Sequence, residues 1–184
     1  MLRLLSEYNN AEVHWIVFGS VGQRIKEATA SANSFLAAAK KKKIITEHFR
    51  DGFFPYIGGE IKNYFEKLKK RVSPDIIFTH YRHDLHQDHR LISDLTWNTF
   101  RDHFILEYEI PKYDGDVGSP NFFVYLNESL CSKKIQYIIE NFKTQRGNHW
   151  FTEETFLSIL RLRGIESNAP EKYAEGFYCR KIAL

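Results

Sequence analysis

The chain has 184 residues, and 26 Lys and Arg against 23 Asp and Glu leave a net charge of +3, too small for a nucleic-acid or anionic-membrane binder. Hydrophobic residues make up 43% and aromatic residues 15%, which suits a packed globular core and excludes a disordered chain. No apolar run is long enough to cross a bilayer, MLRLLSEYNN lacks the apolar stretch of a signal peptide, and Cys131 and Cys179 make no disulfide framework. A cytoplasmic protein with two inert cysteines is therefore expected.

In chain order, EVHWIVF (12–18) is a β-branched and aromatic run closed by the turn-like GSVG. QRIKEATASANSFLAAA (23–39) predicts a helix, with Ile25, Ala28, Ala32, Phe35 and Leu36 recurring at three and four. KKKIITEHF supplies a second strand, with Lys40 to Lys43 read as a solvated helix end rather than a recognition patch. GGEIKNYFEKLKKRV supplies a second helix, placing Ile61, Tyr64, Phe65 and Leu68 on one face. SPDIIFTH is the strongest strand: Pro74 opens it, and IIF is continuously apolar, as a strand covered on both faces would be.

Helical spacing resumes through Ile92, Leu95, Thr96, Thr99 and Phe100. ILEYEIP and NFFVYL predict two further strands around the loop KYDGDVGSP. ESLCSKKIQYIIENF and TEETFLSILRLRG predict helices, the second stopped by Gly164, and YAEGFYCRKI predicts a last strand. Alternation of strands and helices predicts an α/β domain of three layers with a mainly parallel sheet. With no repeat and no linker, a single domain over 1–184 is expected.

The unusual stretch is HYRHDLHQDHR, where His80, His83, His86 and His89 recur every third residue with Asp84 and Asp88 among them. On one helix a step of three turns each residue roughly 60° behind the last, so His80 and His89 would point to opposite sides. The string must cross an element boundary, ending a strand near His80 and starting a helix between Asp84 and Asp88. That places it just beyond the carboxyl end of a strand, where open α/β folds hold ligands. His86 and His89 can share a helical face, and a carboxylate beside an imidazole fixes its tautomer. One imidazole can ligate a metal while another acts as electrophile. A polar helix start with Asp84 as N-cap is the plainer alternative. Spacing alone identifies neither a third ligand nor a base, and the chain has no H-E-x-x-H, C-x-x-C or G-x-S-x-G. FGSVGQR is not a G-x-G-x-x-G fingerprint either.

PDIIFTHYRHDLHQDHR, the earlier RIKEA (24–28) and FRDGFF (49–54), and the late YAEGF (173–177) together resemble the LmbE/PIG-L family of zinc-dependent N-deacetylases. The resemblance implies a Rossmann-like α/β fold, zinc as cofactor and a small amino-sugar substrate of the N-acetylglucosamine type, with no nucleic-acid partner. By the motif, His89 matches the zinc-ligating histidine, His86 the histidine that polarises the amide carbonyl, and Asp88 the aspartate that holds His86. Arg24 matches an arginine near the substrate, and Asp51 lies in the segment bordering the mouth of the site. In the implied mechanism zinc activates a water, a carboxylate takes its proton, and His86 stabilises the oxyanion.

One departure is serious. Family members begin with a strand ending in a string like A-H-P-D-D, carrying two zinc ligands and the base, and nothing here matches it. The first strand is therefore expected to be missing, and weak zinc binding and poor deacetylation follow. An N-terminally shortened chain, a homologue that lost catalysis, and a site rebuilt from His80, His83, Asp84 or Asp51 are the three explanations, ranked in that order. The alternative function is a non-catalytic sugar-binding or scaffold protein. An unsatisfied sheet position could also be filled by a second copy, giving a homo-oligomer.

Overall fold

The computed structural model describes residues 1–8 and 10–182. The chain divides into two compact units, Met1–Phe49 with Val124–Glu175, and Arg50–Phe123 with Gly176–Leu184. The α/β class predicted from the sequence holds: helices alternate with strands, one sheet is parallel and the other mixed.

In the first unit, α1 (Leu2–Glu7) precedes β1 (Glu12–Val17), α2 (Gln23–Phe35) and β2 (Lys41–Thr46). β1 and β2 pair in parallel from Glu12↔Lys41 to Val17↔Thr46. The helix expected through Ala39 stops at Phe35. The backbone N–H groups of Lys40 and Lys41 both reach Ala11 O, so the chain must turn over 36–39 to start β2 beside β1. Ala28, Ala32 and Leu36 form the buried stripe of this segment. Glu27 lies buried beside them and accepts the Thr144 amide at 3.0 Å and the Thr144 hydroxyl at 2.6 Å.

The helix α5 (Glu128–Asn141) starts at Asn127, whose side chain accepts Leu130 N at 2.8 Å. In the same way Thr152 caps α6 (Glu153–Glu166) by accepting Thr155 N at 3.2 Å; each such cap is worth about 1 kcal/mol. Leu126, Cys131, Ile135, Phe151, Phe156 and Leu160 make the core of this unit, each side chain contributing about 1.5–3 kcal/mol if fully withdrawn from water. Cys131 is buried and free, as expected of an inert small side chain.

Gly164 does not stop α6, which runs on to Glu166. The glycine serves close approach instead: a Cβ there would stand 1.9 Å from the carbonyl oxygen of Lys172. At the end of the unit Glu175 pairs with Lys134.

In the second unit, α3 (Gly58–Lys69) buries Ile61 and Phe65, two residues of its predicted face. β3 (Ile76–His80) pairs in parallel with β4 (Phe104–Tyr108), from Ile76↔Phe104 to His80↔Tyr108. β4 also pairs antiparallel with β6 (Tyr173–Cys179), and with β5 (Phe122–Leu126) the strand order is β3-β4-β6-β5. The sheet is mixed because β6 runs against β4. Between β3 and β4 lies α4 (Gln87–Thr99), which buries Ile92 and Trp97.

Two polar contacts tie the end of β3 to its surroundings. The Thr79 and Thr96 hydroxyls, both buried, lie 3.1 Å apart and join β3 to α4. The Glu107 carboxylate, almost fully buried on β4, accepts Arg82 N at 2.8 Å and Trp97 Nε1 at 2.5 Å. The loop after β3 is thereby held by a side chain of the neighbouring strand, and the histidine string starts from a fixed point.

Candidate active site

The histidine string does cross an element boundary. His80 is the last residue of β3, residues 81–86 form a loop, and α4 begins at Gln87. The N-cap is His86 rather than Asp84: its extended backbone precedes the helix, and its Nδ1 accepts the Asp88 amide at 3.3 Å. A ring nitrogen that accepts carries no proton, so this contact puts the His86 proton on Nε2.

Three of the four imidazoles gather. The His80 and His89 rings stack at 4.0 Å between centroids with 5° between planes, and His86 lies 4.5 Å from His89. His83 is exposed and sets its edge against the Tyr81 ring at 5.4 Å. His80 Nε2 lies 3.3 Å from the Tyr108 hydroxyl, while its buried Nδ1 has no hydrogen-bond partner among the described residues. Burial, reinforced by the neighbouring His89, pulls the His80 ring well below the usual histidine range and keeps it neutral. Burial likewise pushes the Tyr108 hydroxyl up, with the charge of Asp84 adding to it.

Asp84 organises the cluster from beneath. Its Oδ1 accepts His86 N at 2.8 Å, and its Oδ2 lies 2.9 Å from His89 Nδ1 and 3.0 Å from Lys112 Nζ. Burial alone would raise this carboxyl. The His89 hydrogen bond and charge, the His86 amide and Lys112 outweigh that and hold it well below the ordinary range. As an anion Asp84 only accepts, so His89 donates from Nδ1 and turns Nε2 away from the carboxylate.

Asp88 works differently from the expectation. Its carboxylate does not bond the His86 ring; it accepts Gly52 N at 2.6 Å and Phe54 N at 3.1 Å. Gln87 Nε2 bonds Gly52 O at 2.5 Å, so the start of α4 holds both the N–H and the carbonyl of Gly52. Gly52 has φ of 79°, a left-handed value that suits glycine. Asp51, exposed next to it, is thus carried on a loop anchored to the histidine-bearing helix. Arg24 belongs to the first unit, exposed in the first turn of α2.

Whether these residues suit a catalytic zinc can be judged from their donors. His89 Nε2 fits one coordination position. The carboxylates nearby are spent: Asp84 on His86, His89 and Lys112, and Asp88 on two backbone amides. Among the described residues no group of three or more His, Cys, Asp or Glu side chains could hold a metal ion. A catalytic zinc normally takes three protein ligands, so the described residues do not fit a complete site.

What sequence reading missed is the partner of His89. Asp84 sits five residues before it, a spacing that carries no signal across a loop, and Lys112 lies in a loop 28 residues further on.

The paired imidazoles stand just past the carboxyl end of β3, the place where open α/β sheets hold ligands. Residues 6–100 match the PIG-L family, described as GlcNAc-PI de-N-acetylase, and the chain belongs to that family. No curated protein matches the sequence. Among solved structures the chain is similar to the zinc-inhibited form of teicoplanin deacetylase Orf2, with TM-score 0.70, 13% identity, and 97% of this chain and 91% of that one covered. It is also similar to N,N'-diacetylchitobiose deacetylase from Pyrococcus horikoshii, with TM-score 0.58, 19% identity, and 96% and 76% covered. A third is GalB, the 4-carboxy-2-hydroxymuconate hydratase of Pseudomonas putida KT2440, with TM-score 0.66, 16% identity, and 100% and 89% covered. These likenesses establish the fold. A hydratase among them means that the reaction must be argued from the site.

Proposed function

We propose that this chain binds an N-acetylated amino sugar or sugar conjugate at the His86–His89 pair and is a cytoplasmic N-deacetylase by descent, hydrolysing the linear amide. Family membership supports the reaction class. The observation that carries the proposal is the pair itself: two rings 4.5 Å apart, each tautomer set by a different neighbour.

His86 donates its Nε2–H to the acetamide carbonyl oxygen. As negative charge grows on that oxygen, the hydrogen bond strengthens, which lowers the barrier more than it stabilises the ground state. Asp88 acts on the loop that carries Asp51: its hold on Gly52 and Phe54 supports Asp51 as a group for sugar hydroxyls. Arg24 matches the family's substrate arginine by motif alone. No helix of the described residues is long and apolar enough to cross a membrane.

Zinc is the metal assigned to His89 Nε2. With one ligand among the described residues no water-activating step follows from these side chains, and weak zinc affinity with slow turnover is the expected behaviour. The competing function is a sugar-binding homologue without catalysis. Amine release from N-acetylglucosamine and its conjugates in added zinc, compared between the native chain and His86→Ala, decides between them. Turnover lost in the variant by about 100-fold or more supports the deacetylase. Saturable sugar binding with no amine release in either protein supports the binding module.

A further inference from the structure

Three of the large apolar side chains left open to solvent sit on one helix. Leu157, Leu162 and Ile165 of α6 are 41%, 45% and 62% exposed. The opposite side of the same helix buries Phe156, Leu160, Arg163 and Gly164. A helix with apolar residues on both sides belongs between two layers, yet only one side of α6 is covered. On the open side Glu154, Ser158, Arg161 and Ile165 follow at steps of four, three and four, the seam by which one helix packs on another.

The seam is shaped in advance. Leu157, Ser158, Arg161, Leu162, Ile165 and Tyr173 line an open groove of about 350 Å³. Arg161 donates from Nη1 to Lys172 O at 3.0 Å, which holds its guanidinium beside the groove. The Tyr125 hydroxyl donates to Ser167 O at 2.9 Å and keeps its ring, also exposed, next to the end of α6. Side chains held before association lower its entropic cost.

Charge selects the occupant. Glu153 and Glu154, both exposed, lie in the first turn, and Arg161 lies two turns on. A foreign helix of one sign meets repulsion at one part of this seam. An antiparallel copy of α6 does not, because each acidic end meets the arginine of the other helix. The helix has 14 residues, about 21 Å. Two copies antiparallel about its midpoint set Leu157 of one level with Leu162 of the other, and the small Ser158 level with Arg161. Arg161 then stands one turn from Glu154 of the second copy, within reach of its long side chain.

We propose that α6 is a self-association surface: two copies of this chain pair antiparallel through the face from Glu154 to Ile165, with Glu154 and Arg161 joined twice across the twofold axis. No residue of the histidine cluster takes part, and the surface is a different one from an open sheet edge. A helix face about 21 Å long and about 10 Å wide is smaller than the roughly 800 Å² per partner of a long-lived interface, so the dimer forms reversibly.

Sedimentation velocity of the full chain over a wide concentration range tests it. The native chain moves from monomer to dimer as concentration rises. Leu162→Glu, a charge placed in the apolar face, weakens the dimer about tenfold or more. Arg161→Glu and Glu154→Arg each bring like charges together and weaken it about tenfold, and the double variant returns it to within about threefold of native. These positions are exposed, so thermal melts stay close to native, and Leu157→Glu stands in should Leu162→Glu not fold. A native chain that is monomeric at every concentration overturns the proposal and leaves the face to a different protein. A dimer untouched by Leu162→Glu and by both charge reversals overturns it as well, since its interface then lies elsewhere. Single reversals that weaken the dimer without rescue in the double variant overturn the antiparallel pairing.

Discussion

Asp84 and His89 face each other at 2.9 Å, carboxylate to Nδ1, with Asp84 nearly inaccessible and His89 partly open. This pair turns a histidine-rich string into a site: it sets the protonated nitrogen of the ring and directs the other outward. Three groups, His89, the His86 amide and Lys112, hold the carboxylate ionised, so its interactions should be visible in the acid stability of the second unit.

A carboxyl held below its unfolded value contributes stability above that value and loses it as pH falls. The Asp84 contribution is therefore complete at neutral pH and declines from roughly pH 4 downward, since unfolded Asp titrates near 3.9. Asp84→Asn lowers the thermal midpoint at neutral pH and flattens its fall in acid. Melting curves across pH check both; a variant whose profile keeps the native slope contradicts the assignment.

Asp88→Asn removes one of two anionic acceptors facing Gly52 N and Phe54 N. A buried amide left without its acceptor costs about 1–3 kcal/mol, so the 50–54 loop loosens. Limited proteolysis should cut the variant between Arg50 and Phe54 where the native chain resists. Equal resistance would mean that the loop is held elsewhere.

Lys134→Met leaves the half-buried Glu175 without its ammonium partner. Burial by itself raises this carboxyl; Lys134 and the Met1 ammonium bring it down to about 2. Its stabilisation is thus present at neutral pH and lost between the ordinary glutamate value and about 2. Removing the lysine should destabilise the first unit by about 3–5 kcal/mol, and adding Glu175→Gln should recover part of the loss. Urea denaturation of the single and double variants measures it.

Gly164→Ala tests packing without touching any charge. Its Cβ would meet the backbone oxygen of Lys172 at 1.9 Å, and backbone cannot swing aside as a side chain can. A loss of about 3 kcal/mol or more is expected by chemical denaturation. An unchanged midpoint would show that α6 and residue 172 are not in contact in solution.

Local sequence carried the strand and helix order, because PDIIFTH ends in a chain break of character at His80 and the apolar stripe of α4 resumes at Leu91 and Ile92. The same boundary argument brought His86 and His89 together, and their rings do lie side by side. Tertiary demands were invisible. The early end of α2 follows from the pairing of residues 40 and 41 with Ala11, and the glycine inside α6 follows from a carbonyl eight residues later. Asp88 read as a partner for an imidazole because it sits between two of them; it instead serves amides 34 and 36 residues upstream. Lys112 had no signal at all, since a lone lysine in a glycine-bearing loop reads as solvated.

Nε2 of His89 is the atom we propose to be offered to a metal. A crystal of this chain grown with zinc, with anomalous scattering collected at the zinc edge, tests it most directly. A peak about 2.0–2.1 Å from His89 Nε2, with Asp84 still on Nδ1, is the predicted result. A peak on Nδ1 or on the Asp84 carboxylate, or no peak beside His89 at saturating zinc, would contradict it.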